Sequence, residues 1–184
     1  FDGSFGMDGK SIGQCTGYRN DGTLLYSGVW ENGKLNGTGY ICHNNGKIAC
    51  EGDFKDDLLH GHGVYYDKDG NIIYEGEWKN GKYHGYGKNY HIKSSVKMYE
   101  GDFKNGKYYG NGTSYDSNGS KCYTGQWKNG VYHGKGHLFV LNEPDNSNKF
   151  EYAGHFHNGM PNGHGALQTK SGRKVYDGTW RNGR

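Results

Sequence analysis

An Asn-Gly dipeptide set inside a short aromatic segment, and repeated along the chain, restricts the possible folds more than any other feature. In residues 74–87, YEGEWKNGKYHGYG, Asn80-Gly81 supplies the two positive-φ positions of a type I′ turn, so residues 77–84 are expected to form a tight β-hairpin. Pairing outward from that turn sets Trp78 against Tyr83, Gly76 against Gly85 and Tyr74 against Gly87. Side chains alternate along a strand, so these six share one face, with rings lying over glycines that leave them room. The opposite face carries Glu77 against His84 and Glu75 against Tyr86.

The unit recurs. Copies start at residues 1, 26, 50, 74, 99, 123, 152 and 176, a spacing of 24 to 25 with one stretched interval. A fixed period of this size predicts stacked supersecondary units, each contacting its neighbours. Asp21-Gly22, Asn45-Gly46, Asp69-Gly70, Asn118-Gly119 and Ser171-Gly172 fall between units. As two-residue turns they set the first position of the next unit against Gly17, Ile41, Tyr65, Ser114 and Leu167, all on the ring-bearing face. Within the hairpins the Trp or Phe faces Leu35, Leu59, Tyr83, Tyr108, Tyr132 or Pro161. Both sets of turns agree on one fold class: an all-β, elongated, single-layer antiparallel meander of about fifteen strands. At two strands per unit the eight units, the last one a half, extend about 75 Å, coiled into a shallow trough. Residues 91 to 98 and 142 to 150 form longer connections.

The pattern Tyr-x-Gly-x-Trp/Phe-x-Asn-Gly-x-x-x-Gly-x-Gly resembles the MORN repeat, and the resemblance runs through essentially the whole chain. Two units depart from it. The first carries an extra residue before Gly13 and Cys15 in place of its last glycine; the third begins with Cys50 and has Asp56-Asp57 for Asn-Gly. With no other domain attached, the chain is similar to the all-MORN proteins of protists. That resemblance implies a non-enzymatic scaffold in the cytoplasm, associated with the cytoskeleton and with other scaffold proteins.

Bulk composition alone points toward disorder, with a mean hydropathy of −1.05 and 32% hydrophobic residues. The 15% aromatic residues and 35 glycines are placed periodically, however, which predicts order without a deep core. A net charge of +3 lacks the dominant basic patch of a nucleic-acid binder. Four scattered cysteines make no disulfide framework, and no apolar run is long enough to cross a bilayer. The chain opens inside one unit and stops halfway through another, as a piece cut from a longer array does.

The ring-and-glycine face is a candidate partner groove, lined by Tyr26, Trp30, Phe54, Tyr74, Trp78, Tyr99, Phe103, Tyr123, Trp127, Tyr152 and Phe156. The hairpin turns place Lys34, Lys79, Lys82, Lys104, Lys107 and Lys128 along one edge, which suits anionic headgroups. The same lysines also discourage edge-to-edge pairing. His60 and His62 lie across from Asp53 and Glu51, as His84 does from Glu77, which reads as cross-strand charge pairing; no catalytic residue is assigned. Cys42 is expected on the outer face opposite Ala49, and Cys50 on the inner face opposite Ile41. Only His43 and Cys50 then share a face, which leaves two candidate ligands for zinc held between two chains and no cofactor within one. The strand of Tyr176, Gly178 and Trp180 lacks a return strand, an edge open to a second copy in a homodimer.

Overall fold

The structure is a computed structural model that describes residues 2–141 and 150–184. The chain divides into two compact units, Phe1–Ser95 and Val96–Arg184. The first contains β1 (Asp2–Phe5), β2 (Ser11–Tyr18), β3 (Leu24–Glu31), β4 (Lys34–Cys42), β5 (Ile48–Lys55), β6 (Leu58–Tyr66), β7 (Ile72–Lys79) and β8 (Lys82–Tyr90). The second contains β9 (Lys97–Lys104), β10 (Lys107–Tyr115), β11 (Lys121–Lys128), β12 (Val131–Leu141), β13 (Phe150–His157), β14 (Met160–Thr169) and β15 (Lys174–Trp180). In both units the sheet order of the strands is their order in the chain. Each is therefore an all-β, single-layer antiparallel meander, with no helix among the described residues. The 91–98 connection holds a turn closed by Ser94 N–H on His91 O (3.1 Å). The other long connection lies outside the described residues apart from Phe150.

The hairpin turns have the backbone that Asn-Gly specifies, with φ of 51° at Asn80 and 71° at Gly81. Asp56-Asp57 adopts the same shape at 51° and 69° without a glycine. Asp57 Oδ1 accepts the Leu35 N–H (2.8 Å) and Asn36 Oδ1 accepts that of Asp56 (3.1 Å), which offsets the strain of two left-handed aspartates. Several turns also lean on the repeat before them. Gly81 N–H donates to Leu59 O, Gly130 to Tyr108 O, Gly159 to Tyr132 O and Gly183 to Pro161 O, all at 2.9 Å.

Two details of the pairing differ from the expected ladder. Trp78 meets Tyr83, but the next pairs are Gly76 with Gly87 and Tyr74 with Asn89, not Gly85 and Gly87. A two-residue bulge on the returning strand takes up the difference, and it recurs opposite Phe54, Phe103, Trp127 and Phe156. Gly85, Gly110 and Gly134 adopt φ of 55–58°, which lifts the first glycine of Gly-x-Gly out of the ladder. A side chain from the facing strand then takes the freed amide. Glu77 Oε1 accepts the Tyr86 N–H (3.0 Å), Asp53 that of His62 (3.0 Å), Asp102 that of Asn111 (2.9 Å) and Gln126 that of Lys135 (2.9 Å). Because the slip is even, the ring-bearing face is preserved.

The turns between repeats are also longer than two residues. His43 N–H donates to Lys47 O and Gly46 N–H to His43 O, an arrangement repeated at Arg19, Asp67, Asp116 and Thr169. A one-residue irregularity then restores the register, so Tyr26 meets Gly17, Cys50 meets Ile41 and Tyr74 meets Tyr65. Cys42 consequently pairs with Ile48, not Ala49, and is buried.

Gln126 fills the capping position with an amide, so charge is not required there. Glu77→Gln is expected to keep stability within about 0.5 kcal/mol, whereas Glu77→Ala, which leaves the Tyr86 amide without its acceptor, costs about 1–2 kcal/mol. Urea denaturation of the two variants checks this difference.

Candidate interaction surfaces

Each aromatic triad is built by a Tyr at the first position of a repeat, a Trp or Phe four residues on, and the ring across the hairpin. Tyr74, Tyr99, Tyr123 and Tyr152 are fully buried. Their hydroxyls donate to the main-chain oxygens of Glu77, Asp102, Gln126 and His155 at 2.9–3.0 Å. Tyr83 stacks on Tyr74 and Tyr108 on Tyr99 at 3.8 Å between centroids, and Tyr132 stacks on Tyr123 at 4.0 Å. Trp78 stands edge-on to both Tyr74 (5.2 Å) and Tyr83 (4.8 Å). Its indole N–H reaches back to Gly63 O at 3.0 Å, and Trp127 does the same to Gly112 O.

Of the eleven rings assigned to a groove, nine are buried; Tyr26 and Trp30 are half-buried. Their main work is therefore packing between repeats. The outer members of the stacks, Tyr83, Tyr108 and Tyr132, are half-exposed and were not singled out as groove residues from the sequence. Their position directly across from Trp or Phe is the signal that identifies them.

Burial pushes the Tyr74 and Tyr123 phenols well above their ordinary range. Burial and the Glu51 carboxylate, which accepts the Tyr66 hydroxyl at 2.5 Å, push Tyr66 up to about 12. A phenol with a raised folded-state pKa contributes stability that is fully present below the unfolded value of about 10 and is lost as pH rises through the folded value. Stability is therefore expected to hold up to pH about 10 and to fall between about 10 and 12. A spectrophotometric phenolate titration paired with melts across that window checks it; Tyr66→Phe removes part of the loss.

Lys79, Lys82, Lys104, Lys107 and Lys128 are exposed beside the hairpin turns. Lys79 pairs with Lys82 across one turn and Lys104 with Lys107 across another. Lys34 is instead paired with Asp56 (3.4 Å), and Lys104 lies over the Tyr109 ring (4.9 Å).

The His-carboxylate pairs do not form as expected. Asp53 and Glu77 are engaged with backbone amides, His60 Nδ1 lies 3.2 Å from Asn80 Oδ1, and His84 Nδ1 is buried without a hydrogen-bond partner. The bulge is the cause, since it turns the carboxylates inward on the freed amides. His43 Nε2–H donates to Tyr66 O (3.0 Å), and burial raises the Cys50 thiol to about 11. Among the described residues no group of three or more His, Cys, Asp or Glu is placed to hold a metal ion. On the edge of β15, Tyr176 is 45% exposed and Trp180 half-buried. Trp180 N–H donates to Gly165 O (2.9 Å), while the Tyr176 hydroxyl donates to Thr179 O (3.0 Å).

Hairpins joined by glycine-cradled rings, with outer tyrosines and turn lysines exposed at repeat spacing, define a β-hairpin repeat protein that offers extended surfaces. The MORN repeat family model matches residues 26–47, 50–72, 74–88, 99–121, 123–139, 152–172 and 176–184, well over half of the chain. The chain belongs to that family. Its repeats go with protein-binding or membrane-associated roles, and proteins built from them are generally not enzymes. No curated protein matches the chain. Residues 1–25 lie outside the matched stretches, although β1 and β2 continue the hairpin pattern.

Proposed function

We propose that the chain is a non-enzymatic scaffold that binds protein partners and itself, working in the cytoplasm in association with the cytoskeleton. The observation that carries this is the row of half-exposed tyrosines, Tyr83, Tyr108 and Tyr132, each held by stacking on a buried ring. Aromatic rings fixed in place and open on one side are the side chains that anchor protein interfaces, because little rotamer freedom is lost on binding. Other scaffold or cytoskeletal proteins are the expected partners. A second copy joined through Tyr176, Gly178 and Trp180 on β15 gives a homodimer.

The test uses a swap that the fold already tolerates, since Leu35 and Leu59 occupy the position of these tyrosines in two other repeats. A Tyr83→Leu, Tyr108→Leu and Tyr132→Leu variant is expected to melt close to the parent and to lose captured cytoskeletal partners in a pull-down. Unchanged capture by the folded variant overturns the assignment to this row. Light scattering on the eluting protein at tens of micromolar tests self-association, and a monomer removes the homodimer.

The lysines that face each other at 79/82 and 104/107 favour a second reading, a module for anionic phospholipid at a membrane surface. Vesicles containing phosphatidylserine, sedimented at physiological salt, decide it. Failure to carry the protein down removes the lipid role.

A further inference from the structure

The residue four places after each repeat start alternates without exception. It is Phe in the repeats starting at 1, 50, 99 and 152, and Trp in those starting at 26, 74, 123 and 176. The two ring types are not equivalent in the structure. Trp78, Trp127 and Trp180 each send the indole N–H to the main-chain oxygen of the glycine fifteen residues earlier, in the preceding Phe repeat. Edge-on ring contacts to the preceding repeat are made by both ring types, by Trp127 to Tyr99 (5.3 Å) and Tyr108 (5.2 Å) and by Phe156 to Tyr123 (5.2 Å) and Tyr132 (5.7 Å), so the indole bond is what sets the Trp repeats apart. A phenyl ring has no donor, so a Phe repeat has no corresponding side-chain bond to the repeat before it.

Connection length follows the same phase in part. The four connections leading from a Phe repeat to its Trp repeat all hold a short turn, at Asp21-Gly22, Asp69-Gly70, Asn118-Gly119 and Ser171-Gly172. Both longer connections in the sequence, 91–98 and 142–150, come just before a Phe repeat, while the remaining joint into a Phe repeat holds the short Asn45-Gly46 turn. The boundary between the two compact units, at Ser95 and Val96, falls inside the first of these connections.

We propose that the cooperative element of this array is the pair formed by a Phe repeat and the Trp repeat after it, about twice the 24-residue period, and that the array opens at the joints ahead of Phe repeats. The indole clamp ties the pair; the joints ahead of Phe repeats lack it, although the one before residue 50 is held instead by Asp57 Oδ1 on the Leu35 N–H and Asn36 Oδ1 on that of Asp56. The first pair is the least tightly tied. Cys15 stands at the glycine position there, and Trp30 Nε1 is buried without a hydrogen-bond partner.

Native-state hydrogen exchange of the whole chain, read by mass spectrometry, tests this. In the parent, β9–β10 and β11–β12 are expected to exchange within about threefold of each other. Trp127→Phe installs the ring native to the alternate repeats and removes the clamp together with part of the indole's packing on Tyr99, Tyr108, Tyr123 and Tyr132. It is expected to accelerate β9–β10 about tenfold or more relative to β11–β12, with β13–β14 changed far less. Phe54→Trp is the converse variant: it puts a donor fifteen residues after Gly39 and is expected to make β3–β4 exchange in step with β5–β6. Exchange that grades smoothly along the parent, or a Trp127→Phe response spread evenly over β9–β14, overturns the pairing. If Trp127→Phe fails to fold, Phe54→Trp decides alone, and no change in the coupling of β3–β4 to β5–β6 overturns the proposal.

Discussion

Trp78→Ala is expected to lower stability by about 3–5 kcal/mol, the range for truncating a large buried aromatic. Trp78 is 8% exposed and stands edge-on to Tyr74 and Tyr83. Alanine removes both contacts together with the indole bond to Gly63 O, and leaves a cavity that a single-layer sheet has no second layer to fill. In an array the loss is local first, because each repeat touches only its neighbours. The thermal midpoint should fall by on the order of 10 °C, and protection from exchange should collapse in β5–β8 before it does in β1–β2. A midpoint within a degree or two of the parent would mean that Trp78 carries none of this packing.

Gly76→Ala should do at least as much damage by the opposite route, adding matter where there is no room. A β-carbon at Gly76 lies 2.5 Å from Gly87 Cα and 2.6 Å from Tyr86 O, which are backbone atoms that cannot swing aside. The residue also has φ of +150°, where a side chain is strained whatever the space. Relief requires prising β7 from β8 or lifting Tyr74 off its glycines, so a loss of about 3 kcal/mol or more is expected. Gly125 has the same environment opposite Gly136, and Gly125→Ala is expected to repeat the result in the second compact unit. Circular dichroism melts of both variants check it; a parent-like melt for either rejects the cradle as a steric requirement.

Much of the fold could be read because two local rules act at short range. Asn-Gly fixes the hairpin turn, and strand alternation carries the phase outward, which put Trp78 against Tyr83 and Phe156 against Pro161 as observed. The bulge was not legible, since Gly85 reads equally well as an in-register glycine lying under a ring. Its positive φ becomes necessary only once the Glu77 carboxylate is seen holding the Tyr86 amide. The turns between repeats are one residue longer than their two-residue signals indicate, and a compensating irregularity leaves Tyr74 opposite Tyr65 while it moves Cys42 opposite Ile48. For the interaction surface, the sequence identified the aromatic face but could not rank its rings. Which ring of a stacked pair is covered depends on Tyr74 lying against glycine with Tyr83 above it, a matter of depth and not of periodicity.

The bonds from Gly81, Gly130, Gly159 and Gly183 to carbonyls of the preceding hairpins give the array a direction of growth. Leu59 O is in place to receive Gly81 N–H as soon as its own hairpin has closed, and Tyr108 O waits for Gly130 in the same way. A chain leaving the ribosome therefore presents a finished template to each new hairpin, which docks turn-first as it emerges. Built in reverse, these turns would have to close before their acceptors existed.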